Sequence, residues 1–395
     1  MSIVDKFTDK AVLIWGYGIE GKSTENFLNK FCKTSKTEVF EGKREELPDG
    51  FDYIIKSPGI PGDYPDEKFT SQTELFLEEF RDRVVGITGT KGKSTTTSMM
   101  YEVLKALLDT NVILVGNIGI PCLDYYEEMQ GDTIAVMEMS CHQLNTVRVS
   151  PHIGLFLNLY EEHLDYYKTF DKYARAKMNI AAYQVPGDRI FIGSGVPNFE
   201  TRGLEYRVGE FNEKKYDLKI LGQHNQWNAE FVRMVCVSAF KLNEIDVIGQ
   251  IEKFKGLPHR LEFIGQKDGV DYYDDSISTI PMACISACNS VPNVKTVIIG
   301  GMDRGIAYDE LIKFIVDRKD LIFLCAYATG ERIYKEAGKP FNCTLVKDID
   351  EAVLVAGKFT GAGEAVVLSP AAASYGYFKN FAERGDYFKK KIFGE

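Results

Sequence analysis

Short apolar runs alternate along the whole chain with stretches whose apolar residues recur every three or four positions. Runs of about four to eight apolar residues bounded by turn formers predict buried strands, and the longer spacing predicts amphipathic helices. In residues 1–81 the runs lie at 11–15, 38–40 and 53–55, with a helical pattern over 22–31. The last run empties into Ser57-Pro58-Gly59-Ile60-Pro61-Gly62, a cluster that turns the chain. A second block predicts strands at 84–87, 111–115, 133–137, 153–157 and 189–192, with helices over 172–183 and 224–240. Gly256-Leu257-Pro258 then opens a third block with strands at 294–299, 321–326, 343–346 and 365–368, separated by helical segments. Alternation of this kind predicts parallel sheets with helices on both faces and ligands at the carboxyl ends of the strands. The reading is three α/β domains in series, 1–81, 82–256 and 257–395, the last doubly wound.

Length agrees with this division, because single cores stop growing well below 395 residues. The net charge of −10 argues against nucleic acid as a partner. No apolar run is long enough to span a membrane, and Met1-Ser2-Ile3-Val4-Asp5-Lys6 lacks a signal peptide's apolar core, so the expected location is the cytoplasm. Eight scattered cysteines, of which only Cys284 and Cys288 lie close in sequence, read as small buried hydrophobes in a reducing compartment.

Two glycine-rich loops stand between a predicted strand and a predicted helix. Gly16-Tyr17-Gly18-Ile19-Glu20-Gly21-Lys22-Ser23 satisfies both G-x-x-x-x-G-K-[ST] and G-x-G-x-x-G. Gly86-Ile87-Thr88-Gly89-Thr90-Lys91-Gly92-Lys93-Ser94-Thr95 misses the former, because Ile87 stands where its first glycine belongs. In either loop, backbone N–H groups and the positive end of the following helix attract phosphate. Neighbouring chemistry separates them. A working triphosphate site needs a hydroxyl for magnesium and a carboxylate at the end of an adjacent strand. The second loop has both, since Ser94 follows Lys93 and the strand at 133–137 runs into Glu138. After the first loop comes Phe40-Glu41, an acid about where a ribose-binding one sits. That suits a nucleotide site without hydrolysis, or a tight strand-to-helix turn with no ligand. Further on, Asn158-Leu159-Tyr160-Glu161-Glu162-His163-Leu164-Asp165 crowds an amide, acids and an imidazole at a strand's carboxyl end. Taken alone, His163 reads as a surface loop residue and Lys177 as a solvated lysine.

Together these residues resemble the Mur ligases, which build the peptide stem of bacterial cell-wall precursors. The resemblance rests on the loop from Gly86 to Thr95, on Glu138-Met139-Ser140-Cys141-His142-Gln143-Leu144, on His163-Leu164-Asp165 and on Ala174-Arg175-Ala176-Lys177. It continues through His224-Asn225-Gln226-Trp227-Asn228-Ala229 and Gly256-Leu257-Pro258-His259-Arg260-Leu261-Glu262, in the family's order over all three blocks. The segments Leu368-Ser369-Pro370-Ala371-Ala372-Ala373-Ser374, Phe378-Lys379-Asn380-Phe381 and Arg384-Gly385 are similar to the branch that adds D-glutamate to UDP-N-acetylmuramoyl-L-alanine. Asp275-Ser276 and Gly300-Gly301-Met302-Asp303-Arg304-Gly305 fit that branch as well.

The resemblance implies a Rossmann-like N-terminal domain, a central P-loop ATPase domain and a Rossmann-like C-terminal domain. It implies that ATP phosphorylates the substrate's terminal carboxylate and that glutamate's amine then attacks the acyl phosphate. Gly89, Thr90, Lys91, Gly92, Lys93, Ser94 and Thr95 would hold the phosphates, with Asn225, Asn228, Arg260 and Asp275 around the rest of ATP. Ser94 and Glu138 would hold one magnesium, and His163 with a carbamylated Lys177 a second. Gly16, Tyr17, Gly18 and Ser57 would face the UDP part, and Asn117, Ser140 and Gln143 the muramoyl-alanine part. Thr279, Arg304, Ser374 and Phe381 would receive glutamate. The implied partners are these small molecules, with no nucleic acid, no membrane and a monomeric chain.

Departures from the family pattern concern recognition more than reaction. Lys91 replaces the usual asparagine of the ATP loop, Ile277 stands where many relatives carry lysine, and Arg304 where some do. The nearest rival is another ligase of the superfamily, adding L-glutamate or a different amino acid, or extending folate. A nicotinamide-dependent oxidoreductase built on Gly16-x-Gly18-x-x-Gly21 would leave Lys93, Glu138, His163 and Lys177 without a purpose. A guanine-nucleotide switch lacks support, since Asn29-Lys30 is followed by Phe31-Cys32 and no aspartate.

Overall fold

The computed structural model describes residues 2–62, 64 and 66–394. Met1, Asp63, Pro65 and Glu395, among them the outer limits of the first and third predicted domains, lie outside the described residues. The chain forms two compact units, one of residues 1–217 with 223–254 and the other of residues 218–222 with 255–395.

The first unit holds two sheets. Strands β1 (Ala11–Trp15), β2 (Lys36–Phe40), β3 (Tyr53–Lys56) and β4 (Phe69–Thr70) form a parallel sheet in the order β2-β1-β3-β4. Its topological switch, where connections leave to opposite sides, falls between β1 and β3, and an open α/β sheet binds ligands in that crevice. Strands β5 (Val84–Thr88), β6 (Val112–Gly116), β7 (Ile134–Glu138), β8 (Ile153–Phe156), β9 (Arg189–Gly193) and β10 (Leu204–Val208) form a second parallel sheet in the order β10-β9-β8-β5-β7-β6. β5 is buried at every residue, as a strand covered by helices on both faces must be. One buried apolar cluster runs from Val12 and Ile14 in β1 through Phe76 and Phe80 to Ile190 and Ile192 in β9, so the two sheets share a core.

The second unit is built on β11 (Glu262–Lys267), β12 (Val270–Asp274), β13 (Val294–Ile299), β14 (Ile322–Ala326), β15 (Cys343–Val346) and β16 (Ala365–Leu368), in the order β11-β12-β16-β13-β14-β15. The four strands expected here are present and parallel, but the sheet is larger than predicted and carries an antiparallel edge, β11. That hairpin closes on Asp268 and Gly269, both with positive φ (53° and 79°), a pairing favoured in two-residue turns that follow the twist of the strands. Its half-exposed, polar-rich first strand gave no apolar run to detect.

Elsewhere the boundaries move by a few residues. The helix expected over 22–31 begins at Ile19, β7 includes Glu138, and the helix expected over 172–183 is Phe170–Met178. All eight cysteines are free thiols, seven of them buried and Cys32 partly exposed. Among the described residues no helix is long and apolar enough to cross a membrane.

Candidate active site

The loop after β5 runs straight into the helix Lys93–Leu107, whose N-cap is Gly92 at φ +84° with no side-chain cap. The first N–H groups of that helix therefore have no side-chain acceptor. Gly92 is required twice over, by its positive φ and because a Cβ there would lie 2.7 Å from Asn228 Oδ1. Asn228, in the buried part of helix Gln223–Ser238, donates to Asn225 Oδ1 at 2.9 Å, so the amide that stands against the loop is bonded to the other predicted one. Asn158 brackets the loop from the other side, accepting from Lys91 N at 2.8 Å and donating to Lys91 O at 3.0 Å. The Lys91 ammonium pairs with Glu162 at 2.5 Å. Lys93 Nζ turns back onto the loop and donates to Gly89 O (2.9 Å) and Thr90 O (3.0 Å). Burial lowers its pKa, opposed by Glu138 and Glu162.

Glu138 ends β7 directly beside β5, paired in register with Ile87, and is 1 % exposed. Its Oε1 accepts from Asn117 Nδ2 at 2.6 Å, while Oε2 is buried with no hydrogen-bond partner among the described residues. A buried carboxylate oxygen without a donor is costly, and a cation in reach removes the cost. Asn117, expected beside the muramoyl group, thus orients this carboxylate. Lys177, read alone as a solvated lysine, is 1 % exposed and donates to Gly89 O at 2.7 Å. Burial, reinforced by the neighbouring Lys93 charge, pushes its pKa down to about 7. His163 caps the short helix Leu164–Tyr167 in the left-handed region (φ 56°), its ring 5.1 Å from that of His142 and 6.1 Å from Tyr173. The Lys177 ammonium lies 5.1 Å from the same Tyr173 ring, so β5, β7, β8 and helix Phe170–Met178 converge here.

The first loop is built differently. Helix Ile19–Phe31 starts three residues before Lys22, which is exposed and lies over the Tyr17 ring at 5.7 Å. Lys93, by contrast, is the first residue of its helix. The better pattern match therefore does not aim its lysine into the loop. Gly16 (φ +93°) packs on Ser57, whose Oγ donates to Gly16 O at 2.9 Å, so Gly16, Tyr17, Gly18 and Ser57 do share the β1/β3 crevice. Two charged residues that the sequence reading did not single out also lie here. Glu20 accepts from Gln143 Nε2 at 2.8 Å, and the buried Lys56 donates to Ser57 O (3.2 Å) and Ile60 O (2.9 Å). Burial pushes Lys56 down to about 8. Ser140 and Gln143 bind each other in a capping box at the start of helix Cys141–Leu144.

In the second unit, Thr279, Arg304 and Ser374 sit in loops that leave the adjacent strands β12, β13 and β16, and Phe381 begins the C-terminal helix Phe381–Phe393. Arg304 donates to Thr279 O at 2.9 Å, and Ser276 Oγ to Phe381 O at 2.8 Å. Arg384, fully buried, was not anticipated as more than a motif residue. It donates to Ser276 Oγ (2.9 Å), Ser276 O (2.7 Å) and Ala372 O (3.1 Å), tying two of those loops to the helix. Burial brings its pKa down to about 10. Asp275 is also buried, accepting from Leu261 N (3.1 Å) and Ser369 Oγ (2.7 Å), and burial pushes its pKa up to about 6. Arg260 is exposed in the turn before β11.

Residues 87–199, which contain this phosphate loop, Glu138, His163 and Lys177, match the Mur ligase middle domain. Over 96% of its length the chain is 32% identical to the UDP-N-acetylmuramoylalanine–D-glutamate ligase of Aquifex aeolicus, covering 98% of that protein. The chain belongs to the Mur ligase family. The corresponding ligase of Acetivibrio thermocellus is also 32% identical, over 90% of this Mur ligase and 85% of the relative. Among solved structures, the UDP-N-acetylmuramate–alanine ligase MurC of Thermotoga maritima shares the fold of this Mur ligase at TM-score 0.59 and 17% identity, with 97% and 99% of the two chains covered.

Proposed function

We propose that this Mur ligase joins D-glutamate to UDP-N-acetylmuramoyl-L-alanine at the expense of ATP, in cytoplasmic synthesis of peptidoglycan precursors. The observation that carries the reading is the unpartnered Glu138 Oε2, buried at the end of β7 beside a phosphate loop and two lysines. A buried carboxylate oxygen and a serine hydroxyl at the start of the loop's helix are oxygen ligands of the kind magnesium takes. Ser94 and Glu138 would hold one ion, and His163 with a carbamylated Lys177 a second. Bound magnesium would supply positive charge to phosphate oxygens.

The chemistry has two bond-forming steps. A carboxylate oxygen of the nucleotide substrate attacks the γ-phosphorus and ADP leaves. The amine of glutamate then attacks the acyl carbon and phosphate leaves, giving the amide. The obstacle to the first step is repulsion between two anions, and Lys93 and Lys91 answer it by meeting the phosphates at the loop. To do so Lys93 must leave Gly89 O and Thr90 O, and Lys91 must leave Glu162. A Lys177 amine whose pKa is near 7 is substantially neutral at cytoplasmic pH, the form that adds carbon dioxide. Asn225, Asn228, Arg260 and Asp275 would be the residues around the rest of ATP. Gly16, Tyr17, Gly18 and Ser57 would receive UDP, with Asn117, Ser140 and Gln143 toward the sugar. Thr279, Arg304, Ser374 and Phe381 would form the glutamate pocket, in which a guanidinium suits a carboxylate. The division into domains 1–81, 82–256 and 257–395, and a monomeric state, belong to the same proposal.

The test is phosphate release with ATP, magnesium and UDP-N-acetylmuramoyl-L-alanine, with D-glutamate, L-glutamate and other amino acids compared in parallel. Stimulation by D-glutamate is expected. Absence of stimulation by either glutamate rejects the function, and preference for L-glutamate rejects the stereochemistry alone.

A further inference from the structure

Glu20 lies in the first turn of helix Ile19–Phe31, beside the crevice between β1 and β3, and neither its position nor its type follows from any phosphate-binding pattern. One carboxylate oxygen, Oε1, accepts from Gln143 Nε2 at 2.8 Å. The other, Oε2, is buried and has no hydrogen-bond partner among the described residues. Leaving a buried acceptor without a donor is costly. Lys56, the cation that acts on Glu20, does not fill the gap, since its Nζ is directed to Ser57 O and Ile60 O and forms no ion pair within 4.0 Å among the described residues. Gln143 is largely committed too, because its Oε1 accepts from Ser140 N (2.9 Å) and Ser140 Oγ (3.1 Å). The acceptor left over in this corner is therefore Glu20 Oε2.

We propose that Glu20 is a recognition residue for the sugar-lactyl-alanyl portion of the nucleotide substrate, its Oε2 accepting a hydrogen bond from an amide N–H or a hydroxyl of that portion. This rests on the reading of the chain as a ligase acting on a UDP-linked amino sugar. Charge selects which part of the substrate Glu20 meets. A carboxylate repels the diphosphate, which belongs with the N–H groups of the glycine loop. At the other end, the substrate's own carboxylate must reach Lys93 and the reacting phosphate. Glu20 is joined through Gln143 to helix Cys141–Leu144, whose His142 ring neighbours His163 at that reacting end. Between the two anionic ends the substrate offers uncharged donors, and those are what a lone acceptor recognises. A site built around such an acceptor discriminates strongly against a partner that fails to satisfy it.

The test is equilibrium binding by calorimetry of the wild-type protein and Glu20→Gln to two probes, UDP-N-acetylmuramoyl-L-alanine and UDP. Glutamine keeps the shape and can still accept from Gln143, but presents N–H where Oε2 was. The expected result is a Kd for the full substrate raised about 10-fold or more, with the Kd for UDP and the melting temperature unchanged. Glu20→Asp, which keeps the charge and withdraws the acceptor, should weaken the full substrate alone in the same way. An unchanged Kd for the full substrate in Glu20→Gln overturns the proposal, and so does an equal loss for UDP, which would make Glu20 a prop for the loop. Failure of the wild-type protein to bind the full substrate would instead reject the substrate reading itself.

Discussion

Lys177 shows how far burial can change what a residue is for. On a helix surface it would be a solvated ammonium, yet here it is sealed beneath the phosphate loop with Lys93 close by, and the neutral amine becomes accessible near pH 7. The sign is fixed by this depression. Below about pH 7 the amine is protonated and cannot add carbon dioxide, and above it the neutral form dominates. At constant dissolved carbon dioxide, the carbamate signal of Lys177 in carbon-13 NMR should therefore rise as pH passes upward through about 7. Lys177→Ala should lower kcat by about 100-fold or more, the scale of losing a group at a metal site, and regain activity with added short carboxylic acids. Full activity without rescue would reject the carbamate. The sequence alone left this lysine open, because nothing in Tyr173-Ala174-Arg175-Ala176-Lys177-Met178 says which face is covered. Family resemblance supplied the proposed role, and the depth of burial favours the neutral amine that role requires. Glu20 escaped for the opposite reason, since an acid in a first helical turn is ordinary there.

At the scale of elements, the two glycine-rich loops differ in where the helix begins. Both follow a strand and both contain Gly-Lys-Ser. In the first, the helix starts at Ile19 and carries Lys22 away to solvent; in the second, it starts at Lys93 itself. Three residues of helix register decide which lysine can meet phosphate, and boundaries are the part of a fold that local pattern reads least well. The long apolar strands were legible because both faces of a parallel sheet are covered. The β11–β12 hairpin was missed through its half-exposed edge strand, although Asp268-Gly269 carried a turn signal that could have revealed it. Gly92→Ala tests the second loop directly. Positive φ and the approach of Asn228 should together cost about 1–3 kcal/mol of stability and raise KM for ATP. Gly187→Ala, with φ +102° but no atom within 4 Å of the added Cβ, should show a smaller loss in thermal unfolding and no change in KM.

For the whole molecule, chemistry-bearing residues fall on both compact units, and each unit collects its own at the carboxyl ends of parallel strands. That collection was foreseeable from alternation of strands and helices, whereas the shared core of the first two sheets was not, because it depends on side chains far apart in sequence. The free thiols carry a consequence of their own. Cys32, Cys122, Cys141 and Cys236 belong to the first unit and Cys284, Cys288, Cys325 and Cys343 to the second, and of all eight only Cys32 borders solvent. In native conditions a maleimide should reach Cys32 first, and slowly because burial pushes that thiol up to about 12, and the seven others only when the backbone around them opens. Mass spectrometry of partly denatured samples then becomes a count of which half has come apart: four slow tags arriving as a set, ahead of three, would mean that the carboxyl-terminal unit melts first and alone.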